Sequence, residues 1–258
     1  MNEIEVYNPF NVKGYYIVSK EGKKFFNYDD LLLELCPNGY IPKSGLLFDN
    51  VLNFDICGGK NVLDLGCGYL GILSIISKIN GAASVDSIDY DDECIKWFSK
   101  IIKENNLKNI DCFKSDYFKN IQKKYDLILS NPPQLPMISG GLHDSGGYDG
   151  RKYILEIMKE SINHLNDEGV LYMLMFDFIG TFIKTNNSKS ILEIARDIGY
   201  NSIDLVFEIT KKIKKDSVTY NNISYINSIY PLYDFGKDDK TCKIQILKMK
   251  RWLILKVI

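Results

Sequence analysis

The chain has 258 residues, of which 45% are apolar, so it can bury a substantial core in one large domain or in one with a small appendage. Its formal net charge of −1 gives no global electrostatic case for a nucleic-acid backbone as partner. The six cysteines lack metal-ligand spacing, and neither a targeting segment nor an apolar run of about 18 residues is present, which predicts a cytoplasmic protein with no metal and no membrane contact.

The first 55 residues differ in pattern from the rest and predict a small N-terminal extension, followed by one catalytic domain over residues 56–258. Tyr15–Val18 and Lys24–Phe26 flank Glu21-Gly22 as in a hairpin. A helix is predicted from Leu46 to Phe54.

From Asn61 onward, short Val/Ile/Leu runs alternate with helical patterns, which is typical of parallel strands joined by crossover helices. The fold class is therefore α/β, with a mostly parallel sheet covered by helices on both faces. Helices are predicted between Asp91 and Asn105, capped by Asp91 or Asp92, and from Ile154 to Leu165. The predicted strands are Asn61–Leu65, Ser84–Asp89, Ile110–Phe113, Tyr125–Ser130, Gly169–Phe176, Ile203–Ile209 and a last one within residues 243–258.

Residues 214–239 fit neither the helical nor the strand period and are rich in Tyr, Asn and Ser. We interpret them as an insertion before the last strand. A substrate lid and a plain surface loop are equally compatible with this composition.

A glycine-rich turn follows the first strand of this region. Gly66, Gly68 and Gly71 have the Gly-x-Gly-x-x-Gly spacing that lets a backbone turn tightly and approach a ligand. Cys67 lies inside the turn and is counted with it as cofactor-binding. Asp64, on the strand itself, separates this loop from a dinucleotide site, because an acid there repels a pyrophosphate and attracts the cationic amino-acid end of S-adenosylmethionine.

Four further side chains follow the next two strands and complete the predicted cofactor site. Asp89 ends the second strand, where a carboxylate can accept the hydroxyl protons of a ribose. Asp116, after the third strand, is placed to receive an adenine amine. Tyr117 or Tyr90 is a candidate to pack on the adenine ring.

The predicted acceptor site is Asn131-Pro132-Pro133-Gln134, directly after the fourth strand. Two prolines stiffen the loop and remove two amide donors, so it presents carbonyl oxygens and the Asn131 side chain to an NH₂ group. These four residues are the catalytic candidates, and Asn131 is also counted with the cofactor site. Gln134 is a candidate for hydrogen bonds to an amide or peptide substrate.

The Asp-x-Gly-x-Gly run and the Asn-Pro-Pro loop resemble the two signature motifs of Rossmann-like S-adenosylmethionine-dependent methyltransferases of the Asn-Pro-Pro-Tyr type. Gly146-Gly147-Tyr148-Asp149-Gly150 resembles a further motif of the release-factor glutamine methyltransferases. The resemblance implies a seven-stranded sheet, S-adenosylmethionine as methyl donor and transfer to a planar nitrogen. Tyr40-Ile41-Pro42 resembles a short motif that precedes the cofactor domain in related enzymes, which implies contact with the cofactor. Gln134 departs from the family pattern, which has an aromatic residue there.

A glutamine-type amide of a protein or peptide leads the expected substrates. An exocyclic amine of guanine or adenine in RNA is the alternative, against which the neutral charge and the missing aromatic residue count. A small-molecule or peptide-tailoring enzyme and a non-enzymatic binding protein are further hypotheses. The intact Asp64, Asp89 and Asn131 argue against the last.

Overall fold

The computed structural model describes residues 3–7, 15–37, 39–41, 43–138, 143–182 and 188–251. Pro42, part of the predicted cofactor contact at Tyr40-Ile41-Pro42, lies outside these residues. So do residues 252–258, part of the range predicted for the last strand. The chain divides into two compact units, residues 1–122 and 123–258. Within the described ranges, no helix is long and apolar enough to cross a membrane and no cluster of acidic, His or Cys side chains could hold a metal ion. The predicted domain boundary at residue 55 stays a prediction.

The first unit begins with a four-stranded antiparallel sheet in the order β1-β2-β3-β4. The predicted hairpin is confirmed as β2 and β3, and its two-residue turn has positive φ at Glu21 (52°) and Gly22 (75°). Such a turn matches the twist of the flanking strands. The outer strands were not predicted. The four strands are β1 (Glu3–Tyr7), β2 (Tyr15–Lys20), β3 (Lys23–Tyr28) and β4 (Leu31–Glu34).

The single helix predicted from Leu46 to Phe54 is wrong. A 3₁₀ helix spans Gly45–Asn50, and a short helix α1 spans Phe54–Cys57. Asn53 separates them because its backbone is extended and its side chain accepts a hydrogen bond from the Ile56 amide. An asparagine in this conformation ends one helix and caps the next.

Three parallel strands, β5 (Asn61–Leu65), β6 (Ser84–Asp89) and β7 (Ile110–Lys114), follow in the same unit. Helices α2 (Ile72–Ile79) and α3 (Asp92–Glu104) connect them. As predicted, Asp91 caps α3, and its side chain accepts a hydrogen bond from the Glu93 amide at 2.8 Å. The apolar stripe of α3, including Phe98, is buried.

The second unit contains the remaining strands and helices. β9 pairs with β8 in parallel, whereas β11 pairs antiparallel with β9 and with β10. Two short helices, α6 and α7, lie within residues 214–239, where no regular structure was predicted. The elements are β8 (Tyr125–Ser130), α4 (Lys152–His164), β9 (Leu165–Phe176), a 3₁₀ turn (Asp177–Ile179), α5 (Ile191–Ile198), β10 (Ser202–Lys212), α6 (Val218–Asn221), α7 (Ile223–Ile229) and β11 (Thr241–Lys250).

The predicted fold class is confirmed. The strand order of the seven-stranded sheet is β10-β11-β9-β8-β5-β6-β7, with antiparallel pairing at β11. All seven predicted strands are present, although β9 begins four residues earlier than predicted, at Leu165. Both sets of candidate residues follow the carboxyl ends of strands, where sheets of this kind bind ligands.

Candidate active site

The glycine turn between β5 and α2 needs glycine for two different reasons. Gly66, Gly68 and Gly71 all have positive φ, at 87°, 62° and 54°. At Gly71, a Cβ atom would also lie 2.0 Å from Cζ of Phe98 in α3. At Gly66 an added Cβ would meet nothing within 4 Å, so glycine is favoured there by the positive φ alone. The turn therefore brings an open stretch of backbone to the end of β5.

Asp64, on β5, is a buried carboxylate in which only one of the two oxygens has hydrogen-bond partners among the described residues. Its Oδ2 accepts hydrogen bonds from the amide (3.0 Å) and the hydroxyl (2.6 Å) of Ser74, in α2. Its Oδ1 is buried and has no partner among the described residues. Burial raises the pKa of Asp64 to about 7, against the Ser74 hydrogen bonds, and the nearby Asp89 adds to the rise. A cationic group at Oδ1 would favour the charged form.

Asp89, at the end of β6, ties the glycine turn in place. Its Oδ2 accepts a hydrogen bond from the Gly68 amide and its Oδ1 one from the Asp91 amide, both at 2.9 Å. A carboxylate oxygen accepts more than one hydrogen bond, so Asp89 can hold this turn and also receive hydroxyl donors. This carboxylate lies where the sequence placed a ribose-binding acid.

The other cofactor candidates of the first unit differ in exposure. Cys67 is buried, and its amide is already used in a 2.9 Å bond to the Ile88 carbonyl. Tyr90 is 64% exposed. Asp116 is half-buried in an ion pair with Lys119, and Tyr117 beside it has a left-handed backbone with φ of 51°. A left-handed tyrosine is uncommon and marks a constrained turn after β7.

Tyr40 lies against the glycine turn. A Cβ added to Gly68 would be 3.0 Å from its hydroxyl, and its ring meets that of Tyr69 edge to face with centroids 6.0 Å apart. Of the predicted cofactor candidates, Asp89 therefore holds the glycine turn through a hydrogen bond and Tyr40 packs against it.

The acceptor loop, Asn131 to Gln134, follows β8 in the second unit. Asn131 is half-buried, and no described residue hydrogen-bonds its side chain. Pro132 is buried and Pro133 is half-buried. The Asn131 side chain thus has its hydrogen-bonding groups uncommitted among the described residues, and its contact with a ligand stays a prediction.

Gln134 takes a different role from the one predicted. It is 3% exposed, and its Nε2 donates to the carbonyls of Pro132 (3.2 Å) and Leu174 (3.1 Å). Its Oε1 accepts a hydrogen bond from the Phe176 amide at 2.6 Å. Because its amide is committed to backbone groups, Gln134 ties the acceptor loop to β9 and offers no amide hydrogen to a substrate.

The Gly146–Gly150 loop packs directly on the acceptor loop, so the structure brings two separate sequence motifs together. The amide of Gly146 donates to the Leu135 carbonyl at 2.9 Å, and that of Met137 to the Gly147 carbonyl at 3.0 Å. A Cβ on Gly146 would lie 2.6 Å from Cα of Gln134. Glycine is required at Gly146 because the two backbones nearly touch.

Sequence reasoning missed Arg151, the residue after this loop. Its guanidinium is buried and makes four hydrogen bonds, three of them to the carbonyls of Ile179, Gly180 and Lys189 and one to the Ser188 hydroxyl. It fastens the chain after β9 to the start of α4. The signal in the sequence was an arginine at a helix start, where acids are favoured.

The insertion also contacts the Gly146–Gly150 loop. The Tyr225 hydroxyl, in α7, donates to the carbonyl of Tyr148 at 3.2 Å, and the Tyr230 hydroxyl to that of Asp149 at 2.6 Å. The rings of Tyr148 and Tyr225 meet edge to face. The insertion is thus joined to the loop that supports the acceptor loop.

Comparison with known proteins identifies the family. The methyltransferase small domain model matches residues 43–200, more than half of the chain. A Methanocaldococcus jannaschii protein named as a candidate protein N5-glutamine methyltransferase is 33% identical over 170 residues, which cover 62% of this chain and 84% of that protein. The release factor glutamine methyltransferase of Fusobacterium nucleatum is 30% identical over 178 residues, covering 61% of this chain and 49% of that protein.

A solved structure has the same fold at low identity. The T. thermophilus 16S rRNA N2 G1207 methyltransferase, in complex with AdoMet and guanosine, gives a TM-score of 0.52 at 17% identity, over 92% of this chain and 50% of that one. Several other relatives match over less than half of their own length. The chain belongs to the methyltransferase small domain family. It is an S-adenosylmethionine-dependent methyltransferase by class, and the resemblance carried by its motifs is confirmed.

Proposed function

We propose that the protein transfers a methyl group from S-adenosylmethionine to a planar nitrogen, and that this nitrogen is a glutamine-type side-chain amide in a protein or peptide. The observation that carries the proposal is the acceptor loop itself. It places the Asn131 side chain at the end of β8. The Gln134 side chain holds the Pro132 carbonyl, and backbone hydrogen bonds at Leu135 hold the chain directly after the loop.

The first unit fits the donor. Asp64 has a buried Oδ1 that lacks a partner among the described residues, and the ammonium of the methionine moiety would supply one. Asp89 fits a ribose diol, and the open backbone at Gly66 fits close approach of a ligand. Asp116 and Tyr117, with Tyr90, remain the candidates for the adenine. The donor, when bound, supplies an activated sulfonium methyl, so no strong base is required.

The second unit fits the acceptor chemistry. An amide nitrogen has a delocalised lone pair and is a poor nucleophile. The Asn131 side-chain oxygen and the Pro132 carbonyl would accept its two hydrogens, turn the lone pair toward the methyl and stabilise the positive charge that develops on nitrogen. A nitrogen–carbon bond forms as the sulfur–carbon bond breaks, and the nitrogen then loses one proton.

The residue at position 134, a glutamine, favours an amide substrate over a nucleic-acid base. A flipped base is held by stacking on aromatic side chains, whereas Gln134 is buried and offers no ring. Relatives that share 30% and 33% identity with this chain carry glutamine methyltransferase names. The RNA alternative keeps the same donor and acceptor loop, and a neighbour with the same fold is an rRNA enzyme.

The test supplies S-adenosylmethionine labelled on its methyl group, with purified enzyme, to extracts of cells that lack the protein. Protein, RNA and small-molecule fractions are counted separately. We expect label in protein with the wild type, and none with Asn131→Ala. Because Asn131 is also counted with the cofactor site, the affinity of this variant for S-adenosylhomocysteine is measured as well, and it separates loss of the acceptor contact from loss of the donor. Label in RNA would replace the proposed substrate with the alternative, and full transfer by Asn131→Ala would remove the acceptor-loop model.

A further inference from the structure

The acceptor loop cannot be fixed by its own backbone amides alone. The two prolines before Gln134 have no amide hydrogen, so Pro132 and Pro133 cannot be anchored through their own nitrogens. A loop without donors needs them from elsewhere if its carbonyl is to keep one direction. The Gln134 carboxamide supplies them from inside the loop, at 3.2 Å from the Pro132 carbonyl.

We propose that Gln134 is a positioning residue, which fixes the carbonyl of Pro132 for the acceptor nitrogen by tying it to β9. The inference rests on the proposed function, because it takes the Pro132 carbonyl as a partner of the substrate amine. One lone pair of that carbonyl accepts from Gln134, and the other stays available to a substrate hydrogen. Gln134 acts on the substrate only through Pro132.

The hydrogen-bonding pattern explains the residue type. The site needs two donors, for the carbonyls of Pro132 and Leu174, and one acceptor for the amide of Phe176. A carboxamide combines two donors and an acceptor in one planar group, whereas a carboxylate has acceptors alone and a phenol has a single donor. Asparagine has the right group on a shorter stem. Glutamine alone among the natural side chains reaches this pattern from residue 134.

The backbone of Gln134 is also closely packed against the Gly146–Gly150 loop. A Cβ on Gly146 would lie 2.6 Å from Cα of Gln134, and a Cβ on Gly150 would lie 2.5 Å from its carbonyl oxygen. The side chain itself is 3% exposed. Where related loops have an aromatic residue, this chain has a buried side chain that ties the loop internally.

The experiment compares Gln134→Leu with Gln245→Leu, a matched loss of a buried glutamine from β11 that lies outside the acceptor loop. Both side chains are 3% exposed, but Gln245 hydrogen-bonds another side chain, that of Glu208. The rate is methyl label entering the fraction that the wild type labels, and donor affinity is measured with S-adenosylhomocysteine by calorimetry. The inference predicts a kcat drop on the order of 100-fold for Gln134→Leu alone, with donor affinity retained.

A second variant separates positioning from general damage to the fold. Gln134→Glu has no donor while its carboxyl is ionised and regains one when protonated. Its rate, divided by that of the wild type at the same pH, should therefore rise as the pH falls. Equal kcat values for Gln134→Leu and Gln245→Leu would overturn the inference, as would loss of donor binding in Gln134→Leu or a flat ratio for Gln134→Glu. If Gln134→Leu fails to fold, the pH profile decides.

The proposed function can fail separately. If the wild type labels RNA and not protein, the amide substrate is wrong, but the ratio of variant to wild-type rates is then measured on RNA and still tests Gln134. If the wild type labels a protein and Gln134→Leu keeps its rate, the function stands and the positioning role is overturned.

Discussion

Ionisation of Asp64 should control donor affinity. Burial raises its pKa from 3.8 to about 7, and the ammonium of a bound donor beside Oδ1 would lower it again by favouring the charged form. Binding at pH 6 must then release a proton from this carboxyl. Affinity therefore rises with pH until the carboxyl is ionised, and it levels off above about pH 7.

The size of the effect follows from the pKa. Below pH 7, each pH unit lowers the ionised fraction of Asp64 about tenfold, so the Kd for S-adenosylhomocysteine should rise about tenfold from pH 6 to pH 5. Calorimetry in two buffers of different ionisation enthalpy measures both Kd and the released proton. The measurement stays below about pH 7.5, where the amine of the ligand remains protonated.

The same shift predicts how the stability of the unliganded protein changes with pH. A raised carboxyl pKa means that the folded state holds the proton more tightly than the unfolded state, so stability falls as pH rises from about 4 to 7. A rise of about 3 units corresponds to about 4 kcal/mol. Asp64→Asn keeps an oxygen for Ser74 and cannot ionise, so both dependences should flatten. A wild-type Kd that stays constant between pH 5.5 and 7 would refute the reasoning.

Three further changes test the packing. Gly71→Ala places a Cβ 2.0 Å from Cζ of Phe98, so the free energy of unfolding, measured in urea, should fall by about 3 kcal/mol. The control is Gly59→Ala, where φ is +70° but nothing lies within 4 Å of the added Cβ, and a loss of about 1 kcal/mol is expected. Equal losses would contradict the close contact at Gly71. Arg151→Met removes four hydrogen bonds and should cost at least about 3 kcal/mol, and a loss under about 1 kcal/mol would show that the carbonyls do not depend on it. Tyr230→Phe loses a 2.6 Å hydrogen bond to the Gly146–Gly150 loop and should cost about 1 kcal/mol with methyl transfer retained, so an unchanged stability would argue against that contact.

Features set by local chemistry could be predicted from the sequence. The buried strand Asn61–Leu65 ends where predicted because the glycines after it break the apolar run. The start of α3 was predictable because an aspartate side chain competes well for the first free amides of a helix. Asn131 follows the end of β8 directly, as the apolar run before it indicated.

Features set by contacts between distant residues could not be predicted. Gln134 was expected to face a substrate, but the backbone of β9, about forty residues later in the chain, captures its amide. An arginine at a helix start was the one sign of Arg151, but its role could not be predicted because its partners are carbonyls 28 or more residues away, which the sequence does not mark. The break at Asn53 depends on a single extended residue, for which an apolar helical pattern carries no sign.

The central claim is that the accepted methyl ends on an amide nitrogen, and acid hydrolysis of the labelled protein fraction tests it most directly. An N-methylated carboxamide releases methylammonium, which becomes volatile methylamine when the hydrolysate is made alkaline, whereas a methyl on a lysine nitrogen or a nucleic-acid base stays attached through the same treatment. The account predicts labelled methylammonium with the wild type and none with Asn131→Ala. Label that remains on a non-volatile amino acid, or on a base of the RNA fraction, would contradict it.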